Sequence, residues 1–232
     1  MSSERLAPGL ACPFAGTCVG WTVHQAVTRM ILKVHTTTPE PRVIRKSAEV
    51  LAAGGTLIYP TDTIYGLGCS VESRDALERI YLLKRQRPDK PFSFVCSDLK
   101  NISEYARVSN AAFKTMKHLV PGPYTFILPA ARMKHLPRIL VSRRKTVGIR
   151  VPDSAVALMI VRELGHPILS TSVTTEKGEL LNDPDAIAST FRNSVDLILD
   201  GGVLVSEPST VLDLTAEEPA VIRLGAGPFP VP

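Results

Sequence analysis

From Arg42 onward the apolar positions switch repeatedly between a helical and an extended period. Val43, Ala48 and Leu51 fall on one helical face, and Gly54-Gly55 stop that helix. The β-rich run 56–59 follows and ends at Pro60, which cannot donate to a sheet ladder. Ser73 supplies a cap for a helix carrying Leu77, Ile80, Tyr81 and Leu83. Phe92–Cys96 reads as a buried strand, a helical stretch is expected near 99–106, and Ser109 caps a helix over 110–119 that Pro121-Gly122-Pro123 closes. Further strands are predicted at 124–128, 146–151, 168–172, 195–199, 210–214 and 220–224. Helices near 154–164 and 184–192 lie between some of them, the second opened by Asp183-Pro184. Strands interleaved with helices predict an α/β domain, and the strand-rich final third predicts a mixed rather than purely parallel sheet.

Residues 1–40 differ from the rest. Glu4 is the only acid before Glu40, hydroxylated residues are frequent, and Thr36-Thr37-Thr38-Pro39 reads as a linker. Such a composition permits an organelle transit peptide, although the arginines are few and the amphipathic stretch around Val23–Val34 could equally pack on the domain. The segment is expected to be an amino-terminal extension outside the fold, with the domain over 41–228. The compartment expected is cytoplasmic, or plastid or mitochondrial if the extension is a transit peptide.

At 232 residues with 44% hydrophobic and 21% charged positions, the chain suits one α/β domain and neither a disordered nor a fibrous protein. No apolar run approaches bilayer length, so no membrane partner is expected. Cys12, Cys18, Cys69 and Cys96 show no C-x-x-C spacing, and the five histidines show no ligand spacing, so no metal site is expected from the protein's side chains. Charge changes the picture more. Residues 81–150 hold 15 Lys and Arg against three acids, an excess of +12 in a chain whose net charge is only +5. That concentration implies an anionic partner, either a phosphate-bearing small molecule or a nucleic-acid backbone. Lys84-Arg85-Gln86-Arg87-Pro88-Asp89-Lys90 is its densest part, four cations in a proline-interrupted loop.

The candidate chemistry sits at predicted strand ends. After strand 56–59 comes Pro60-Thr61-Asp62-Thr63-Ile64-Tyr65-Gly66-Leu67-Gly68, a loop of hydroxyls, one carboxylate and two glycines. Open α/β sheets hold ligands at such places, and glycine permits close approach; a plain tight turn accounts for the loop almost as well. Neither a G-x-x-x-x-G-K loop nor a dinucleotide fingerprint is present. Thr146 and Arg150 lie on one strand, Ser170-Thr171-Ser172 ends another, Ser209 begins a third, and Arg223 lies on a fourth. Arginines give bidentate charge-assisted bonds to carboxylate and phosphate, and hydroxyls add directional donors. Singly each is turn or sheet chemistry; jointly they describe an anion clamp.

In these motifs (P-T-D-T-I-Y-G-L-G, K-R-Q-R-P-D-K-P, P-G-P-Y-T-F-I-L, T-V-G-I-R-V-P, L-S-T-S, S-T-V-L-D-L and V-I-R-L-G, in that order) the sequence resembles the YrdC/YciO family of threonylcarbamoyl-adenylate synthases. The resemblance runs from about Arg42 to Gly227 and lies nearer the YciO-like branch. It implies a twisted, open, mixed parallel/antiparallel sheet flanked by helices around a large basic concave groove. It also implies a nucleotidyltransferase activity: formation of threonylcarbamoyl-AMP and pyrophosphate from L-threonine, bicarbonate and ATP, with Mg2+ accompanying ATP. That product serves the making of N6-threonylcarbamoyladenosine in tRNA. By the same resemblance Thr61, Arg150, Ser170 and Ser209 face the amino acid or its carbamoyl group, and Lys84, Arg87, Thr146, Ser172 and Arg223 face the nucleotide. No side-chain nucleophile is implied. Two positions depart from the synthase pattern. Lys84-Arg85-Gln86-Arg87-Pro88 adds one residue to the usual K-x-R-P spacing, and Val173-Thr174 stand where an alanine and an asparagine follow the serine.

Three functions are weighed on these residues: the adenylate-forming enzyme, a double-stranded RNA or tRNA binding module using the same basic groove, and a nucleotide-binding protein acting on another carboxylate. RNA binding predicts affinity that falls steeply with salt and ignores threonine, whereas catalysis predicts pyrophosphate release that needs threonine and bicarbonate together.

Overall fold

The computed structural model describes residues 30–84, 92–100, 102–131, 145–205 and 207–229. In chain order the elements are β1 (Met30–Lys33), α1 (Pro41–Ala52), β2 (Thr56–Tyr59), β3 (Gly66–Ser70), α2 (Arg74–Lys84), β4 (Ser93–Val95), a 3₁₀ turn (Ile102–Glu104) and α3 (Asn110–Leu119). There follow β5 (Tyr124–Pro129), β6 (Thr146–Arg150), α4 (Ala155–Leu164), β7 (Ile168–Ser172), α5 (Pro184–Phe191), β8 (Leu197–Asp200), β9 (Thr210–Asp213) and β10 (Ala220–Arg223). Local chemistry sets the boundaries. Pro41 starts α1, and Gly54, at φ +76°, ends it in a paired cap: Gly54 N–H donates to Leu51 and Gly55 N–H to Val50. Ser73, Ser109 and Ser154 each accept a backbone N–H in the first turn of their helices, and Asp183 does so for α5.

Among the described residues the ten strands form one open sheet in the order β1-β8-β2-β3-β7-β4-β6-β5-β9-β10. Parallel pairs (β1/β8, β2/β8, β4/β6, β5/β9) mix with antiparallel ones (β2/β3, β3/β7, β4/β7, β5/β6, β9/β10), as expected. One face of this sheet is covered over its central strands: Leu67, Phe94, Phe126, Ile149, Leu169 and Leu212 share a core with Leu77 and Ile80 of α2, Met116 of α3 and Ile187 of α5. The other face is covered only in part. There α1 and α4 bury Leu57, Tyr59, Val95, Ile168, Leu197 and Leu199 under Ile44, Leu51, Val156 and Ile160. Beyond those helices the same face carries small and hydroxylated residues in register, Gly66 opposite Ser172 and Ser93 opposite both Ser170 and Gly148. Among the described residues no third helix covers this part of the sheet.

Three features differ from the sequence reading. Met30–Lys33, placed in an extension outside the domain, is the edge strand β1, paired in parallel from Met30↔Leu197 to Lys33↔Asp200. Four residues with one pairing neighbour and alternating half-burial leave too short a pattern to read. Gly66 and Gly68, read as loop glycines, lie inside β3 and pair with strands on both sides. The helical stretch expected near 99–106 is a single 3₁₀ turn, because Ala106 is drawn into a bridge with Ala130 and Arg107 N–H donates to Pro129.

Candidate functional site

The loop after β2 is built around one hydroxyl and one guanidinium. Thr61 Oγ1 donates to the Ile64 carbonyl (2.6 Å) and accepts the Thr63 N–H (3.2 Å), which closes the turn. Arg150, at the end of β6, brings Nη2 to Asp62 Oδ1 (2.5 Å), Thr63 Oγ1 (2.6 Å) and Thr61 Oγ1 (3.4 Å). Asp62 Oδ2 accepts the Asp153 N–H (3.1 Å), so this carboxylate ties the loop both to the β6 strand end and to the segment that follows it. The pair is nearly buried, with side-chain exposures of 12% for Arg150 and 9% for Asp62. Arg150 Nε is buried without a hydrogen-bond partner among the described residues. Buried donors are rarely left so.

A cavity of about 250 Å3 opens on the uncovered part of the sheet. Six of the nine nominated residues line it: Thr61, Arg150, Ser170, Ser172, Ser209 and Arg223. They come from β2, β6, β7, β9 and β10 or the loops beside them, so positions up to 162 residues apart in the chain converge on one wall. Lys84 stands beside the cavity rather than on it. Its Nζ donates to the Ser172 carbonyl (2.7 Å) and to Thr174 Oγ1 (2.5 Å). Thr146 lies at the other end of β6 from Arg150, opposite Pro129, and is not on the cavity wall. Arg87, with most of the basic loop, falls outside the described residues.

Residues that sequence reasoning passed over complete the wall. Tyr59, Tyr65, Ser93 and Thr125 all face the cavity. Parity was the available signal: Ser93 lies between buried Phe92 and Phe94, and Thr125 next to buried Phe126, so each must point to the opposite face. Tyr65 Oη donates to the Gly202 carbonyl (2.8 Å) and accepts the Gly201 N–H (3.0 Å), pinning the loop after β8. Tyr59 crosses the sheet to reach Ser170 Oγ (2.8 Å), and its burial pushes the phenol up to about 12. The two glycines of β3 leave room for their neighbours, Gly66 for that ring and Gly68 for β7. A Cβ at Gly66 would lie 2.9 Å from Ser170 Oγ and 3.1 Å from Tyr59 Cζ, and one at Gly68 would lie 2.6 Å from Ile168 Cγ2.

At the far wall Arg223 donates through Nη2 (2.7 Å) and Nε (3.3 Å) to the Ser209 carbonyl, while Ser209 Oγ meets Thr125 Oγ1 (2.9 Å). Burial and the nearby Arg150 charge lower the Arg223 pKa below the ordinary guanidinium value. Two cations therefore face one cavity whose wall holds seven Ser and Thr hydroxyls and no Asp or Glu among the described residues. An anion is the ligand such a wall stabilises.

A family model for Sua5, YciO and YrdC proteins, described as telomere recombination, matches residues 49–225. The chain belongs to this family. Among Sua5/YciO/YrdC proteins, Escherichia coli YciO is 43% identical over 84% of this chain and 94% of its own length. Its crystal structure aligns with a TM-score of 0.81 over 87% of this chain and 98% of YciO. The threonylcarbamoyl-AMP synthase of Bacillus subtilis is 30% identical, over 81% of this chain and 54% of that enzyme. The crystal structure of Pyrococcus abyssi Sua5 complexed with L-threonine aligns with a TM-score of 0.78 at 28% identity, over 84% of this chain and 57% of Sua5. This chain thus spans nearly all of YciO but about half of the Bacillus subtilis enzyme and of Pyrococcus abyssi Sua5. Among the described residues no helix is long and apolar enough to cross a membrane.

Proposed function

We propose that this member of the family forms threonylcarbamoyl-AMP, holding L-threonine in the cavity and ATP at its mouth. The observation that carries the reading is the acid-free wall with Arg150 and Arg223 directed at one space. At about 250 Å3 that space lies below the range of about 300–1,000 Å3 common for drug-sized ligands, so it suits an amino acid and leaves the nucleotide to lie outside it. Lys84, beside Ser172, marks the direction the phosphates take. L-Threonine's amine condenses with bicarbonate, losing water, to give a carbamate. A carbamate oxygen then attacks the α-phosphorus, the bond to the bridging oxygen breaks, and pyrophosphate leaves with the electron pair. Arg150 and the hydroxyls of Ser170 and Ser209 orient the amino acid; Arg223, Ser172 and Lys84 offset charge on the nucleotide. Positioning and preorganised positive charge supply the acceleration, and no side-chain nucleophile takes part.

The described residues do not offer a cage for magnesium. Among the described residues no three His, Cys, Asp or Glu are placed to share a metal ion, and Asp62 is committed to Arg150. Mg2+ enters this proposal as the counter-ion of ATP, and no step is assigned to it. The test incubates the full chain with ATP, L-threonine, bicarbonate and Mg2+, and follows threonylcarbamoyl-AMP by mass alongside pyrophosphate. Product must vanish when threonine or bicarbonate is omitted. Pyrophosphate release indifferent to threonine would defeat the reading, and salt-sensitive binding of double-stranded RNA without turnover would assign the basic segment to nucleic acid instead.

A further inference from the structure

We infer that Tyr59 is a positioning residue that fixes Ser170 as a hydrogen-bond donor toward the cavity. Tyr59 is fully buried, and Ser170 Oγ is the one partner its hydroxyl has among the described residues, at 2.8 Å. Two hydroxyls can share a hydrogen bond in either direction, and burial decides between them. Were Ser170 the donor, the phenol proton would be sealed inside the protein with no acceptor, at a cost that mutational series place at about 1–3 kcal/mol. Tyr59 therefore donates, Ser170 accepts, and the serine proton is left for the remaining direction. That direction is the cavity, since Ser170 lines it and Gly66, on the same wall, brings no side chain to bond.

The fold invests in this contact. Gly66 is needed at this contact, since a Cβ there would press on both the Tyr59 ring and Ser170 Oγ. A serine free to rotate would offer a lone pair as readily as a proton; one locked as a donor favours carboxylate, carbamate or phosphate oxygen over an amine or ammonium. The wall then presents an oriented donor beside the guanidinium groups of Arg150 and Arg223, and the amino-acid ligand is taken by its anionic end. The ligand's identity rests on the proposed function; the orientation of Ser170 does not.

The test uses Tyr59→Phe, which keeps the ring and removes only the hydroxyl. In a Ser170→Cys background the thiol at position 170 is alkylated with iodoacetamide across pH and followed by peptide mass spectrometry. Cys69 and Cys96 are buried thiols pushed up to about 12 and stay silent. A donor at position 59 stabilises the thiolate, so Tyr59→Phe should slow alkylation at pH 8 about 3- to 10-fold and move its pH midpoint upward. A merely structural tyrosine would leave the profile in place, or speed the reaction by opening space, and either result overturns the inference. L-Threonine titration by calorimetry gives the second arm. Tyr59→Phe should weaken binding about 5-fold in the wild-type background and not at all in Ser170→Ala, whereas equal losses in both backgrounds would overturn the inference. If wild-type protein does not bind L-threonine, the proposed function fails and the alkylation arm still decides the role of Tyr59.

Discussion

Asp62→Ala offers the sharpest measurement of how the site is held. The Asp62–Arg150 pair is 2.5 Å long, and both side chains are about nine-tenths buried. Removing one partner of such a pair strands the other charge, typically at a cost of about 3–5 kcal/mol. Here Thr63 Oγ1 at 2.6 Å and Thr61 Oγ1 at 3.4 Å still accept from Nη2, and the cavity admits water, so the cost falls at or below the bottom of that range, at about 2–3 kcal/mol. For a chain of this size each kcal/mol moves the midpoint about 2–4 °C, which gives a drop in Tm of about 4–12 °C by differential scanning calorimetry. Two further readings check the cause. The double variant Asp62→Ala/Arg150→Ala should lose less than the sum of the singles, since no charge is stranded in it. Added pyrophosphate should recover more stability in Asp62→Ala than in wild type by supplying the missing negative charge. A Tm change under 2 °C together with additive double-variant costs would refute the claim that this pair organises the site.

Gly68→Ala should destabilise by about 2 kcal/mol or more, because its Cβ would meet Ile168 Cγ2 at 2.6 Å and the Leu169 carbonyl at 2.8 Å; urea unfolding measures the loss. Thr174→Val removes a hydroxyl that Lys84 Nζ reaches at 2.5 Å, so the KM for ATP should rise about 5- to 10-fold while the KM for L-threonine stays within about 2-fold. Alkaline pH should unfold the protein through its buried tyrosines. Tyr59 titrates at about 12 when folded and near 10 when unfolded, so between those values the unfolded chain binds fewer protons and stability falls as pH rises. The slope is about 1.4 kcal/mol per pH unit for each such tyrosine, and tyrosinate absorbance at 295 nm should rise together with unfolding rather than before it.

Helices and central strands were legible because their signals are local. The serine caps, the paired glycines after α1 and the runs bounded by Pro60 and Pro121 act within a turn of where they stand. The membership of the site was legible only as a list of residue types at strand ends, and its convergence depends on sheet order, which a one-dimensional pattern does not contain. Strand β3 was hidden because its glycines make room for groups on the strands at either side, Tyr59 at Gly66 and Ile168 at Gly68, so the usual reading of glycine as loop punctuation failed. The role of Asp62 was hidden likewise: turn chemistry was anticipated for it, and its partnership with a guanidinium 88 residues away was not. Lys84 was nominated by the charge of its loop, yet its observed partners belong to the end of β7.

The pairing of β1 with β8 limits where this polypeptide can be trimmed. Any maturation protease or expression boundary that severs the chain after Lys33 would strip a hydrogen-bonded ribbon from Leu197–Asp200 and leave that flank as a ready template for a neighbouring molecule. A version beginning at residue 41 is therefore expected to clump where one beginning ahead of Met30 stays dispersed, and any physiological cleavage compatible with a sound fold belongs upstream of that methionine.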